Sequence, residues 1–174
     1  MAQPILYLMM GHPGAGKTTA AQALHAVTGA VHLWVDHERR RKFSAPTYTH
    51  RENLSLYKQL NNHAEALLKK GESVIYDTNF SLYKDRQHLR ERATANGAKT
   101  VVLWVSTLKE IARSRATDNA HLQGTRVLGN MAHETFERMS RNLEPPRPDG
   151  HAIELDGTQI SKDYLKSRLP ADLL

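Results

Sequence analysis

Short apolar runs alternate with longer amphipathic stretches along the whole chain. The apolar runs are four to six residues long and predict β-strands, whereas the amphipathic stretches repeat at helical spacing and predict helices. Strands that alternate with helices indicate βαβ units, and hence a parallel sheet with helices on both faces. The predicted strands are residues 5–10, 31–35, 73–76, 100–105 and 152–155, and the predicted helices are roughly residues 17–27, 52–70, 82–95, 108–116 and 161–168.

The length of 174 residues predicts a single domain over residues 1–174. The absence of cysteine excludes disulfides and thiolate metal sites. No apolar run approaches the roughly 18 residues of a membrane span, and no signal-peptide pattern opens the sequence, so we expect a soluble cytoplasmic protein. The net charge of +6 allows a nucleotide, a nucleic acid or a phosphorylated small molecule as partner without choosing among them.

A glycine-rich segment connects the first predicted strand to the first predicted helix. It fits the pattern Gly-x-x-x-x-Gly-Lys-Thr, in which backbone N–H groups and a helix N-terminus surround phosphate oxygens. We expect Lys17 to reach the β- and γ-phosphates of ATP or GTP, and the Thr18 hydroxyl to bind Mg²⁺. The predicted nucleotide-binding residues here are Gly11, His12, Pro13, Gly14, Ala15, Gly16, Lys17, Thr18 and Thr19.

Asp77 follows the third predicted strand directly. In phosphate-loop proteins an acidic residue at the end of a neighbouring strand helps to hold Mg²⁺, and we predict that role for Asp77. Ligands in open α/β sheets also bind outside the carboxyl ends of the strands. The alternative is a turn-forming aspartate, which is common at strand ends.

Asp36 ends the second predicted strand and is a candidate general base for an attacking hydroxyl. Arg39 lies three residues later, so on a helix it faces the same way and could orient Asp36 or hold an acceptor phosphate. The alternative is that Asp36 is the N-cap of a solvated basic helix over residues 39–42.

Residues 117–125 are polar and carry no apolar period, which predicts a lid over about residues 113–126. Arginines that close over a transferring phosphoryl group stabilise its charge. The candidates are Arg113, Arg115 and Arg126, with Arg113 preferred because it ends the helix that enters the lid. They could equally be surface arginines.

The motif at residues 11–19, Asp36-x-x-Arg39 and Asp77-Thr78-Asn79 together resemble the kinase domain of phage polynucleotide 5′-hydroxyl kinases. The wider group contains zeta-toxin-like and chloramphenicol phosphotransferase-like kinases, within the AAA-type ATP-binding family. The resemblance covers nearly the whole chain and implies a P-loop NTPase three-layer sandwich, adenylate-kinase-like, with strand order 2-3-1-4-5 and a lid. It also implies Asp36 as general base, Arg39 as its partner, a lid arginine at the transferred group, and residues 156–158 near the adenine.

These observations predict a kinase that uses Mg²⁺ to transfer the γ-phosphoryl group of ATP to a hydroxyl. The leading acceptor is a nucleic-acid 5′-hydroxyl, because the basic run at residues 39–42 offers a phosphate-binding surface beside Asp36. A small molecule, such as an antibiotic or a sugar derivative, is the alternative acceptor. A nucleotide-dependent switch, which needs no base, is the alternative class. The oligomeric state stays open.

Overall fold

A computed structural model describes residues 3–126, 128–148 and 152–174. Five parallel strands form one sheet in the order β2-β3-β1-β4-β5. This order confirms the fold that the family resemblance implied. The strands are β1 (Ile5–Met10), β2 (Val31–Trp34), β3 (Val74–Asp77), β4 (Lys99–Ser106) and β5 (Ala152–Asp156).

Helices cover both faces of this sheet. They are α1 (Lys17–Thr28), α2 (Val35–Lys42), α3 (His50–Lys69), α4 (Tyr83–Ala95), α5 (Lys109–Thr117), α6 (His133–Arg141) and α7 (Lys162–Arg168), with short 3₁₀ helices at Ala120–Leu122 and Ala171–Leu173. Along the described ranges, no helix is both long and apolar enough to cross a lipid bilayer.

The sequence pattern missed α6 and placed the end of β2 one residue late. Helix α6 has few apolar residues, and its burial depends on Phe136, which packs on Ala112 and Ala116 of α5. Strand β2 ends at Trp34, the last residue paired with β3, and α2 begins at Val35. Asp36 therefore lies in the first turn of a helix.

The central strand β1 is buried at every position, as expected for a parallel strand with helices on both faces. Its alternate side chains enter two separate apolar clusters. Ile5, Tyr7 and Met9 pack with residues of α1 and α7, whereas its even-numbered residues pack with residues of α3 and α4. The Tyr7 hydroxyl donates a hydrogen bond to the carbonyl of Leu173 at 2.7 Å.

The strand order also determines where a ligand can bind. Strands β2 and β3 lie on one side of β1 in the sheet, and strands β4 and β5 lie on the other side. The order of strands therefore reverses beside β1, and in open α/β sheets ligands bind outside the carboxyl ends of the strands at this point. The glycine-rich loop follows β1 at this edge.

Candidate active site

The glycine-rich loop occupies residues 11–16, between β1 and α1. Gly14 has a φ of 78°, and a Cβ there would collide with the carbonyl oxygen of Ala112, so only glycine fits. Lys17 folds back over the loop and donates hydrogen bonds to the carbonyls of Gly11 (3.0 Å) and His12 (2.9 Å). Burial lowers the pKa of Lys17 to about 8, although the carboxylates of the site oppose that change.

The loop after β5, which leads into α7, packs directly on the glycine-rich loop. Thr107 donates a hydrogen bond to the carbonyl of Ala15 at 2.8 Å, and a Cβ on Gly157 would collide with both of these groups. Arg115 donates to the carbonyl of Gly157 at 3.3 Å. Thr158 and Gly157 line the same cavity as the glycine-rich loop, and their place near the adenine stays a prediction.

A cavity of about 790 Å³ lies at the C-terminal edge of the sheet. This volume is within the range of small-molecule and cofactor sites. Its walls come from the glycine-rich loop, α2, the end of β3, α5, α6 and the loop after β5. Of the residues predicted to bind nucleotide in the glycine-rich segment, six line the cavity, namely Pro13, Gly14, Gly16, Lys17, Thr18 and Thr19, whereas Gly11, His12 and Ala15 do not line it.

Both predicted carboxylates line this cavity. Asp77 is buried, and its Oδ2 lies 2.9 Å from Nε2 of His32, so the side chain is held by the neighbouring strand and not by a turn. Burial and the Asp77 carboxylate raise the pKa of Asp36, whereas Lys17 and Arg126 lower it. The N-cap of α2 is Trp34, so the interpretation of Asp36 as an N-cap is wrong.

Two oxygen-bearing side chains that could hold a cation, those of Thr18 and Asp77, line the cavity together. Throughout the described part of the chain, no group of three or more histidine or acidic residues could hold a metal ion by itself. Mg²⁺ fits this donor set, because it keeps several waters and binds through one or two protein oxygens plus substrate phosphates.

Arg39 is bound to α3 and is not paired with Asp36. Its Nη1 lies 2.5 Å from Oε1 of Glu52, and its Nη2 donates to Oδ1 of Asn53 at 2.8 Å. Only 4% of Arg39 is exposed, so the interpretation of a fully solvated basic helix is wrong for this residue. It still lines the cavity, and it is one of the charges that lower the pKa of Asp36.

The other cations of the basic run have partners as well. Arg41 forms a salt bridge with Glu38 at 2.6 Å, and Lys42 donates hydrogen bonds to Ser55 (3.0 Å) and Gln59 (2.8 Å). Residues 40–42 are exposed, but Arg39 alone of residues 39–42 lines the cavity, so the basic run does not offer the phosphate-binding surface beside Asp36 that the sequence suggested.

The arginines around the predicted lid separate into two groups. Arg113 is exposed, its Nη1 lies 3.7 Å from Oε1 of Glu137, and it does not line the cavity. The prediction that Arg113 is the arginine at the transferred group is therefore wrong about where this side chain lies. Residues two apart on a helix point in different directions, and the side of α5 that faces the cavity carries Arg115. Arg115, Arg126 and Arg138 line the cavity.

Arg126 is the best placed of these for a ligand. Its Nε is buried, and no partner for it exists among residues 3–126, 128–148 and 152–174. Burial lowers the pKa of its guanidinium, and the Asp36 carboxylate, which lines the same cavity, opposes that change. Arg138 lies on α6 and was missed, because only a prediction of that helix could have drawn attention to it.

Tyr57 and the segment after β3 form the remaining wall near Asp36. The Tyr57 hydroxyl lies 2.9 Å from Oγ1 of Thr78, and Oδ1 of Asn79 is buried with no hydrogen-bond partner among the described residues. Tyr48 also lines this part of the cavity. Nothing in the local sequence relates these tyrosines to Asp36, so they were not predicted as part of the site.

The protein-family model described as an AAA domain matches residues 6–146. The gluconokinase of Sinorhizobium meliloti has a similar structure, with a TM-score of 0.67 and 21% identity over 99% of this chain and 93% of that chain. The APS kinase CysC of Mycobacterium tuberculosis, solved with AMPPNP and APS, gives 0.67 and 14% over 96% of each chain.

A chain of the Pnkp1/Rnl/Hen1 RNA repair complex gives a TM-score of 0.69 and 20% identity, over 82% of this chain and 45% of that chain. A search of curated proteins found no match. At these identities the structural likenesses establish the fold alone.

Proposed function

This chain belongs to the AAA domain family, and on that basis we propose that it transfers the γ-phosphoryl group of ATP to a hydroxyl acceptor. The observation that carries the proposal is that Asp36 shares one cavity with the glycine-rich loop and Lys17. A phosphate-binding loop and a carboxylate able to accept a proton therefore face the same space. We propose a nucleic-acid 5′-hydroxyl as the leading acceptor; residues 39–42 do not support this choice, and its support is the aromatic side chain of Tyr48 in the cavity wall.

The donor side of the cavity is strongly basic. Lys17 and the backbone N–H groups of the glycine-rich loop bind the phosphates, and Arg115, Arg126 and Arg138 add positive charge around them. Thr18 and Asp77 would hold Mg²⁺, which when bound neutralises charge on the β- and γ-phosphates. Pre-positioned cations stabilise a transferring phosphoryl group because its charge spreads over three oxygens.

The acceptor side contains Asp36. Its carboxylate accepts the proton of the acceptor hydroxyl while that oxygen bonds to the γ-phosphorus, and the bond from the γ-phosphorus to the bridging oxygen breaks to release ADP. Arg39 supports this arrangement indirectly, because its bonds to Glu52 and Asn53 join α2, which carries Asp36, to α3.

The structural likenesses support the kinase class and leave the choice of acceptor open. They include two kinases named for small acceptors, gluconokinase and APS kinase, and a chain of an RNA repair complex. Asp36 itself argues against a nucleotide-dependent switch. A nucleotide-dependent switch needs no general base near the nucleotide. Asp36 has the properties of such a base, because burial and Asp77 raise the pKa of its carboxyl group.

The test is transfer of labelled γ-phosphate from ATP to a panel of acceptors. The panel holds 5′-hydroxyl DNA and RNA oligonucleotides, nucleosides, aminoglycosides, chloramphenicol and simple sugars. The wild type is compared with Asp36→Ala and with Asp163→Ala, which removes an exposed carboxylate from the first turn of α7 and serves as the matched control. AMPPNP affinity is measured for each protein.

We expect the oligonucleotide end to be labelled by the wild type and by Asp163→Ala. Asp36→Ala should lose transfer by about 10²-fold or more while it still binds AMPPNP. Label on a small molecule alone would keep the mechanism and replace the acceptor. No labelled acceptor, with slow ATP hydrolysis that does not depend on Asp36, would refute the kinase assignment.

A further inference from the structure

Tyr48 lies in the loop between α2 and α3 and has an uncommon combination of properties. Its φ of 57° is the only positive φ of a non-glycine residue among the described residues. Residues other than glycine, asparagine and aspartate seldom adopt this backbone conformation, because their Cβ comes too close to the following carbonyl oxygen. The large aromatic side chain is also 49% exposed, so burial of the ring does not compensate for the unfavourable backbone.

The surrounding residues hold Tyr48 firmly. The guanidinium of Arg39 lies 4.7 Å from the centre of the ring, and Arg39 is itself fixed by Glu52 and Asn53. Asn53 donates to the carbonyl of Tyr48 at 3.3 Å, and Glu52 accepts a hydrogen bond from the backbone N–H of Thr47 at 2.7 Å. One face of the ring is therefore attached to an immobile cation, and the exposed part of the ring is held in a fixed orientation.

The position of Tyr48 relates its ring to Asp36, the proposed base on the acceptor side. Tyr48 lines the cavity together with Asp36, and it comes from the loop that joins α2 to α3. Burial raises the pKa of the Tyr48 hydroxyl, and the Asp36 carboxylate, which lines the same cavity, adds to that change. An acceptor with its hydroxyl at Asp36 would have its next chemical group within reach of this ring.

Two other aromatic residues near Asp36 are less suited to contact an acceptor through a ring face. Tyr57 lies on α3 and packs against the apolar cluster between this helix and the sheet. Its hydroxyl forms a hydrogen bond with the hydroxyl of Thr78. Trp34 stacks on His32 and His37 and does not line the cavity. Tyr48 has one face on Arg39 and half of its surface exposed at the cavity wall.

We propose that the exposed face of Tyr48 stacks on the base of the terminal nucleotide whose 5′-hydroxyl is phosphorylated at Asp36. This inference rests on the proposed function and narrows its acceptor to molecules with a planar base attached to the reacting sugar. Aromatic side chains bind bases of any sequence, because every base has a π-face. The site therefore selects for the presence of a terminal base and tolerates all four.

The experiment is a double-mutant cycle between the protein and the acceptor, since such a cycle isolates the pairwise interaction. The acceptors are two oligonucleotides that differ only at the 5′-terminal nucleotide, which is normal in one and abasic in the other. The proteins are wild type, Tyr48→Phe, which keeps the ring, and Tyr48→Leu, which removes it. The KM for each acceptor and the KM for ATP are measured.

We expect the abasic acceptor to raise the acceptor KM of the wild type by about tenfold or more, the lower range for loss of one base–aromatic stack. Tyr48→Phe should show the same penalty. Tyr48→Leu should raise the KM for the normal acceptor about as much and should treat the two acceptors alike, while the KM for ATP changes by less than about twofold.

A structural role for Tyr48 gives a different pattern. If the ring only supports the loop, Tyr48→Leu weakens both acceptors equally and the full abasic penalty persists, which overturns the proposal. Tyr48→Gly provides an independent check, because glycine adopts a positive φ without strain. The thermal stability of this variant should be kept or raised, whereas the lower KM for the normal acceptor relative to the abasic acceptor should be lost.

Failure of this proposal can be told apart from failure of the proposed function. If the wild type labels both oligonucleotides with equal KM, the kinase assignment stands and the stacking role of Tyr48 is wrong. If it labels only small molecules without a base, the nucleic-acid acceptor is wrong and the stacking proposal is wrong with it.

Discussion

Substitution of Gly157 by alanine tests whether the loop after β5 supports the glycine-rich loop. Gly157 donates its N–H to the carbonyl of Ser106 at 2.8 Å and lies against the carbonyl of Ala15 and the hydroxyl of Thr107. Its φ lies outside the left-handed region, so alanine suits the backbone. The methyl group alone is the perturbation, and it would overlap both oxygen atoms.

The expected cost follows from these contacts. Neither neighbour can retreat freely, because Thr107 and Ala15 are joined by a hydrogen bond of 2.8 Å, and Cγ1 of Val105 would lie 2.9 Å from the new methyl group. Overpacking of this kind costs about 1–3 kcal/mol, and loss of the hydrogen bond would add about 1 kcal/mol. A displaced Ala15 also shifts the N–H groups that bind phosphate, so nucleotide affinity should fall by roughly tenfold or more.

Two measurements check this prediction, namely urea unfolding and calorimetric titration with AMPPNP in the presence of Mg²⁺. The matched control is Gly124→Ala, which adds the same methyl group at a position with no atom within 4 Å and no positive φ. That variant should lie within about 0.5 kcal/mol of the wild type. If Gly157→Ala matches Gly124→Ala in both measurements, the proposed support of the glycine-rich loop is refuted.

Three further predictions concern charged groups. Arg126→Ala should lower kcat by about 10²-fold or more, whereas Arg113→Ala, at the arginine outside the cavity, should stay near wild type in the same transfer assay. The acid limb of kcat/KM should have an apparent pKa above the ordinary aspartate value, since burial is the largest effect on the pKa of Asp36 and raises it, and a limb at the ordinary value would contradict this. Hydrogen bonds from Thr47 and Arg39 lower the pKa of Glu52 in the folded protein. Glu52 should therefore stabilise the fold fully above the ordinary glutamate pKa, and this stabilisation should be lost as the pH falls through the lowered pKa of the folded state. Unfolding free energies between pH 3 and pH 7 should then depend less on pH in Glu52→Gln than in the wild type.

The strands and the glycine-rich loop could be predicted because local sequence encodes them. A run such as Ile5–Met10 is apolar at every position because both of its faces are buried, and the phosphate motif is contiguous. The three-residue spacing of Asp36 and Arg39 was a weaker guide. It predicted a shared helix face, but Glu52, 13 residues away from Arg39, determines where the guanidinium lies.

The structure around the predicted lid could not be predicted, because it also depends on contacts between distant segments. Helix α6 has nine residues and is mostly polar, and its one fully buried side chain, Phe136, packs against a neighbouring helix, so few apolar positions marked this helix in the sequence. Without α6, nothing indicated which side of α5 faced the cavity, and Arg113 was preferred over Arg115 and Arg126. Sequence reasoning was reliable where chemistry is contiguous and failed where packing between distant segments decides orientation.

The contact between Gly16 and Gly157 has a consequence for how the protein is made. The residues proposed to bind phosphate are synthesised early. A Cβ at Gly16 would stand 3.2 Å from the carbonyl oxygen of Gly157, which shows how closely the two loops approach. A nascent chain that has not yet extended past residue 157 lacks one wall of its phosphate site. A ligand stabilises only the state that binds it, so nucleotide should favour the completed fold and give little help to partly synthesised chains.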